Sequence, residues 1–214
     1  ESYVKSLINA KQNPSEFYTA VEKGKTAFRK GEYQEALSIL AQAKQLSDKP
    51  SLACYYSGES LRCLDKKEEA LKQYDEGLSY NNIHYRCLVG KFETLDELNQ
   101  KKMAYNVVSL LTKYFPVSPQ RLGKIFKLAV YTQNFSDAEK YYELYERLDI
   151  HSLELKNIVS AALFVGGKFY LQNEDPEKAF ENFEKCILVT NLDTSLIEKC
   201  TLNLVDYKYF EQAR

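Results

Sequence analysis

Residues 31–40 read GEYQEALSIL, and the arrangement returns as KKEEALKQY at 66–74, QKKMAYNVV at 100–108, NFSDAEKYY at 134–142, EDPEKAFENF at 174–183 and KYFEQA at 208–213. Aligned on their alanines, Ala36, Ala70, Ala104 and Ala138 stand 34 residues apart, and after a slip of seven residues Ala179 and Ala213 resume the same spacing. An aromatic stands three residues before the alanine at Tyr33, Phe135 and Phe210, and a glycine twelve residues before it at Gly24, Gly58 and Gly167. A fixed period of this length marks a repeat architecture in which each unit is one supersecondary element.

Each period holds two apolar-periodic stretches of about 14 residues, such as FYTAVEKGKTAFRK and YQEALSILAQAKQL. Leu37, Leu40 and Leu46 with Ala36 and Ala43 follow the i, i+3, i+4, i+7 spacing of one helix face. Alanine and glycine at the recurring sites let two helices approach closely. Gly31, Pro50, Pro116, Pro119 and Pro176 fall at joints or first turns, where a missing N–H or an unusual backbone is tolerated. The pattern predicts helices at 2–12, 17–30, 33–46, 51–64, 67–80, 85–98, 101–114, 119–132, 135–148, 152–172, 176–190 and 194–208. The seven extra residues near HSLELKNIVS amount to about two helical turns, so they read as a lengthened helix rather than a linker. No Gly/Ser-rich or Pro-rich segment interrupts the chain, which reads as one solenoid.

The 214 residues have 44% apolar and 28% charged side chains, a globular balance. Twenty-nine Lys and Arg against thirty Asp and Glu give a net charge of −1, without the basic surplus of a dedicated nucleic-acid binder. No apolar run approaches the roughly 18 residues of a membrane span, so neither a nucleic acid nor a membrane is expected as partner. Eight Gly and five Pro are too few for a β-rich chain. Five cysteines, odd in number and without a C-x-x-C, give no disulfide framework or zinc motif, and point to a reducing, cytoplasmic setting.

The period and its small residues resemble the tetratricopeptide repeat (TPR), a 34-residue helix–turn–helix unit. Its small eighth and twentieth positions correspond here to Gly24 and Ala36, Gly58 and Ala70, and Gly167 and Ala179. Pro116 matches the family's closing proline, while Phe92 and Phe126 depart from its small eighth position. The resemblance implies an all-α, right-handed solenoid of antiparallel helix pairs. A helical lead-in at 1–16 would precede repeats near 17–50, 51–84, 85–118, 119–152 and 160–193, with a partial sixth at 194–214. Phe210 and Ala213 would open that unit's second helix. Either the protein continues beyond Arg214 or the last helix is a cap, and the first of these is the expectation.

Enzyme chemistry has little support: no phosphate-binding glycine loop, G-x-S-x-G or H-E-x-x-H is present, and no cofactor or metal is expected. Cys54, Cys186 and Cys200 fall at packing positions of the repeat and read as buried, unreactive thiols. His84 and His151 read as exposed polar residues near helix starts. Tyr74, Tyr142 and Tyr145 read as core.

In this family the first helices of successive repeats line a concave groove through their second, fifth, ninth and twelfth positions. The resemblance places there Tyr18, Val21, Lys25 and Phe28, then Leu52, Tyr55, Glu59 and Arg62. Next come Arg86, Val89, Glu93 and Asp96, then Gln120, Gly123, Lys127 and Val130, and last Ala161, Phe164, Lys168 and Leu171. The Lys and Asn clamp by which one subfamily grips chaperone tails is absent, since Val21, Lys25 and Tyr56 stand where it is needed and Arg86 alone fits. An apolar partner segment would lie on Tyr18, Phe28 and Tyr55, and its basic side chains would meet Glu59, Glu93 and Asp96. The expected function is a non-enzymatic scaffold that binds a protein or peptide. Self-association into a homo-oligomer, and a regulatory segment of a larger signalling protein, are the alternatives.

Overall fold

A computed structural model describes residues 14–148, 152–190 and 193–213. The expected lead-in helix at 2–12 and His151 lie outside them. Among the described residues there are eleven helices and no strand. In order they are α1 Pro14–Arg29, α2 Tyr33–Lys44, α3 Ser51–Cys63, α4 Lys67–Tyr80, α5 Tyr85–Glu97, α6 Lys101–Tyr114, α7 Pro119–Tyr131, α8 Phe135–Arg147, α9 Leu153–Gln172, α10 Pro176–Val189 and α11 Thr194–Ala213. The chain clusters into two compact units, 1–115 and 116–214. At the division Phe115 is extended after α6, Pro116 cannot donate a backbone hydrogen bond, and the Ser118 hydroxyl caps α7 by accepting from Arg121 N at 3.3 Å. The division falls at Pro116, just ahead of Pro119.

In the N-terminal unit α1 packs on α2, α3 on α4 and α5 on α6 as hairpins. Each second helix also packs on the next first helix, α2 on α3 and α4 on α5, while α1, α3 and α5 lie side by side. The core follows from the small residues: Ala36, Leu40, Ala43, Ala53, Ala70 and Tyr74 are fully buried. A Cβ at Gly24 would lie 2.7 Å from Leu40, and one at either Gly58 or Gly90 would collide with the Tyr74 ring. Tyr74 is therefore gripped between glycines of two successive repeats, where any side chain would hold the helices apart. In the C-terminal unit α7 packs on α8 and α9, α9 on α10, and α11 on α10 and α9. There Gly167 accommodates Phe183 and Gly123 accommodates Leu155. Phe126, at a position where other repeats have glycine, packs instead on Tyr142 with ring centroids 6.0 Å apart.

One turn geometry joins each first helix to its second. Gly31, Asp65, Asn99, Gln133 and Glu174 all have positive φ, between 55° and 83°, at 34-residue spacing until the inserted seven. Each lies inside a bond from the next residue's N–H back to a carbonyl five residues earlier, as in Glu32 N to Ala27 O (3.0 Å), Gln100 N to Leu95 O (2.9 Å) and Asp175 N to Tyr170 O (2.9 Å). This is the Schellman closure, which satisfies helix-end carbonyls through one left-handed residue.

Three expectations need correction. α11 runs unbroken to Ala213, so no second helix opens at Phe210 and Ala213, whose side chains lie outside the described residues; no Gly, Pro or Asn between 204 and 213 interrupts it. His84 is not an exposed polar residue but a half-buried N-cap, its Nδ1 accepting from Cys87 N at 3.3 Å. Glu59, expected to face a partner, is buried inside the molecule, as described next.

Candidate partner-binding faces

In the N-terminal unit, side-by-side packing of α1, α3 and α5 brings the expected groove residues into two clusters. The first is aromatic. Phe28 is half-buried between Tyr33 and Tyr56, with centroids at 5.7 and 6.2 Å, and Tyr55 meets Tyr56 edge-on at 4.9 Å. The exposed Arg86 guanidinium lies over both Tyr55 and Tyr56, 5.7 and 5.9 Å from their centroids, and its Nη1 donates to the Tyr56 hydroxyl at 2.8 Å. Burial, then the carboxylate of Glu59, pushes the Tyr55 phenol up to about 12, so it remains a donor. Tyr18 is 57% exposed, its ring against Phe17. Lys25 is occupied by the Glu22 carboxylate at 2.8 Å.

The second cluster is ionic and ties three helices together. Glu59 is 8% exposed; its Oε1 accepts from the Tyr74 hydroxyl at 2.6 Å and its Oε2 from Arg62 Nη2 at 2.9 Å. Arg62 Nη1 reaches Glu97 at 3.0 Å and Glu93 at 3.2 Å, and Glu97 also meets Lys67 at 3.4 Å. Burial opposes the Arg62 charge, but Glu59 and Glu93 override it and hold its pKa above the usual arginine range. Burial and Glu59 together raise the Tyr74 phenol above its ordinary value. Glu59 therefore serves the packing between repeats, with both of its oxygens engaged inside the molecule. Glu93 and Asp96 are half-buried at the same end of α5.

The C-terminal unit contributes three expected residues. Lys127 is exposed with its ammonium 5.9 Å over the Tyr131 ring. Lys168 is exposed over Phe164 at 5.4 Å, and Phe164 packs on Phe183 at 5.8 Å. Two neighbouring groove positions are filled instead of open. Val130 is 2% exposed, and Gly123 is covered by Leu155 and Ile158. At Gly123 the cause is the seven-residue insertion, which lengthens α9 at its start so that the added turns lie across α7, whereas Val130 packs near Gly166 further along α9.

Among the described residues no group of three His, Cys, Asp or Glu could hold a metal ion. The five cysteines are free; burial pushes Cys54 up to about 11 and Cys87 up to about 12, which keeps them as thiols. No helix among the described residues is long and apolar enough to cross a membrane.

No protein-family model matches the sequence, and no curated protein does. Solved structures do match its fold. Residues 41 to the end of MamA from Desulfovibrio magneticus RS-1 superpose with a TM-score of 0.57 at 17% identity, covering 81% of this chain and 94% of that one. YrrB, a TPR protein with an unusual peptide-binding site, gives 0.60 at 17% identity over 92% and 95% of the two chains. The Naa15/Naa10 complex bound to HypK-THB gives 0.63 at 18% identity, covering 95% of this chain but 31% of that one.

The chain has the tetratricopeptide-repeat fold. Within that TPR frame, several residues that shape the two faces were not expected there from the sequence. Glu97, Lys67 and Tyr56 join the clusters through contacts that cross repeats, and no spacing along the chain announces them. The left-handed TPR turn residues did leave a signal, because Asp65, Asn99 and Gln133 recur in step with Gly31; their differing identities hid it.

Proposed function

We propose that this chain is a non-enzymatic interaction scaffold that docks a peptide or helix of a protein partner on the first-helix face of its repeats. The observation that carries the reading is the Arg86 platform. An exposed guanidinium rests across two tyrosine rings, with one hydrogen bond to Tyr56 and its other donors unclaimed among the described residues. Arginine and tyrosine are the residue types that most often anchor interfaces, and here both are held by packed helices, which lowers the ordering cost of binding. Tyr18 and Phe28 extend the apolar surface toward α1, and Glu93 and Asp96 offer charge to basic side chains at the other end. In the C-terminal unit Lys127, Phe164 and Lys168 occupy the corresponding face. The peptide-binding site of YrrB and the HypK-bound state of Naa15/Naa10 accord with such a use of the fold. A net charge of −1 favours protein over nucleic acid as the partner, and five free thiols suit a reducing, intracellular setting.

The test is affinity capture of partners from native extract by wild type, by Tyr55→Ala/Arg86→Glu, and by Lys72→Glu on the exposed side of α4. A partner held by wild type and Lys72→Glu, and weakened about 30-fold or more in the double variant, is expected from loss of an anchor of about 2 kcal/mol. Circular dichroism checks that all three are equally helical. Undiminished capture by the folded double variant would remove the platform from the binding surface.

A further inference from the structure

Charge in the C-terminal unit is separated by helix type. α7 and α9 carry Arg121, Lys124, Lys127, Lys156 and Lys168 against one carboxylate, Glu154. α8 and α10 carry seven carboxylates against four cations. In a chain of net charge −1, the first helices of this unit thus carry a net positive charge, of which Lys127 lines the cavity described next. Lys124, Lys127 and Tyr131 share one face of α7 by their i, i+3, i+7 spacing, as Glu154, Asn157, Ile158 and Ala161 share one face of α9.

A cavity of about 370 Å³ opens between those faces, at the lower end of the roughly 300–1,000 Å³ typical of ligand pockets. Ile158, Ala161 and Ala162 give it apolar walls, and Lys127, Tyr131 and Asn157 give it polar ones. It exists because of two features already described. The inserted residues supply Glu154, Asn157 and Ile158, and Gly123 lets that added helix approach α7. Lys127 and Glu154, both exposed, form no ion pair among the described residues. The Lys127 charge is held over an aromatic ring rather than neutralised.

We propose that this cavity docks an extended acidic peptide segment of a protein partner. An apolar side chain of the segment seats against Ile158, Ala161 and Ala162, and an adjacent Asp or Glu pairs with Lys127. The Asn157 carboxamide, with two donors and an acceptor, pairs with the segment's backbone. Glu154 bars a second acid from its own end of the cavity and so sets the direction of the chain. The partner class rests on the scaffold reading, but the residues are distinct from the Arg86 platform.

The test uses three fluorescein-labelled heptapeptides, acetylated and amidated at their ends, with a central leucine flanked by glutamates, glutamines or lysines. Fluorescence anisotropy with the full chain should rise for the glutamate peptide and remain low for the other two. Lys127→Glu, which reverses the paired charge, and Ala161→Trp, which fills the cavity, should each weaken binding about tenfold or more, with helicity checked by circular dichroism. Glu154→Gln should strengthen it. Lys72→Glu, on the exposed side of α4, should leave it unchanged, and Arg86→Glu makes failure here and failure of the platform separately visible. Equal binding of the lysine peptide, undiminished binding by Lys127→Glu, or no binding up to about 1 mM protein would overturn the proposal. Loss of glutamate-peptide binding in Arg86→Glu would also overturn it, and would assign the acidic ligand to the N-terminal unit.

Discussion

His84 shows how one residue's chemistry changes when a repeat is folded around it. Ahead of α5, its Nδ1 accepts the Cys87 amide and lies 3.1 Å from the Cys87 sulfur. Burial, and then the nearby Arg86 charge, lowers its pKa below the usual 6.5. Protonation would fill the acceptor that caps the helix, so the folded state resists it while the unfolded chain does not. The unfolded state then binds more protons as pH falls below 6.5, and stability present above that pH is lost as pH drops toward the folded-state value. His84→Ser keeps an N-cap oxygen without the titration. Urea midpoints measured at pH 7.5 and 5.5 should therefore differ less in the variant than in wild type. The sequence placed His84 at a helix start but gave no sign of its burial, because burial depends on packing that spacing along the chain does not record.

At the scale of elements, the turns within the hairpins share a backbone but not a residue type. Glycine occupies the left-handed position once, at Gly31, whereas Gln133 and Glu174 hold it with φ of 59° each and make no side-chain hydrogen bond there among the described residues. A residue with a Cβ in that conformation costs about 1–2 kcal/mol, partly offset because glycine loses more freedom on folding. Gln133→Gly and Glu174→Gly should each stabilise the protein by about 0.5–1 kcal/mol, and Gly31→Ala should destabilise it by a comparable amount, all read from urea unfolding. Helix positions were legible from the sequence because alanine and glycine report close packing wherever they recur. Apart from α11, each helix with a sequence-based expectation begins and ends within three residues of it. The inserted segment was legible as extra helix, yet its path across Gly123 was not, since that depends on which neighbour the added turns lean against. The ionic cluster was hidden for the same reason: Glu59, Arg62 and Glu93 were visible as groove residues, but the Tyr74 hydroxyl that commits Glu59 to the interior lies on another helix.

For the whole molecule, the distribution of sulfur offers an experimental handle. Cys63 is exposed, while Cys54 and Cys87 are buried in residues 1–115 and Cys186 and Cys200 in residues 116–214. A buried thiol reacts only when its surroundings open. A maleimide pulse on the native protein should thus modify Cys63 first, and the other four at rates set by local opening, with peptide mapping assigning each. Detection of a buried cysteine modified as fast as Cys63 would show that its repeat is already open in the native state. The repeat has in effect distributed two concealed reporters to each half of the chain and left one in view, at the end of α3 beside Arg62. That last thiol can carry a dye without touching the core, and its emission would report the arrival of a partner on the N-terminal face while the concealed four record when, and in which half, the protein breathes.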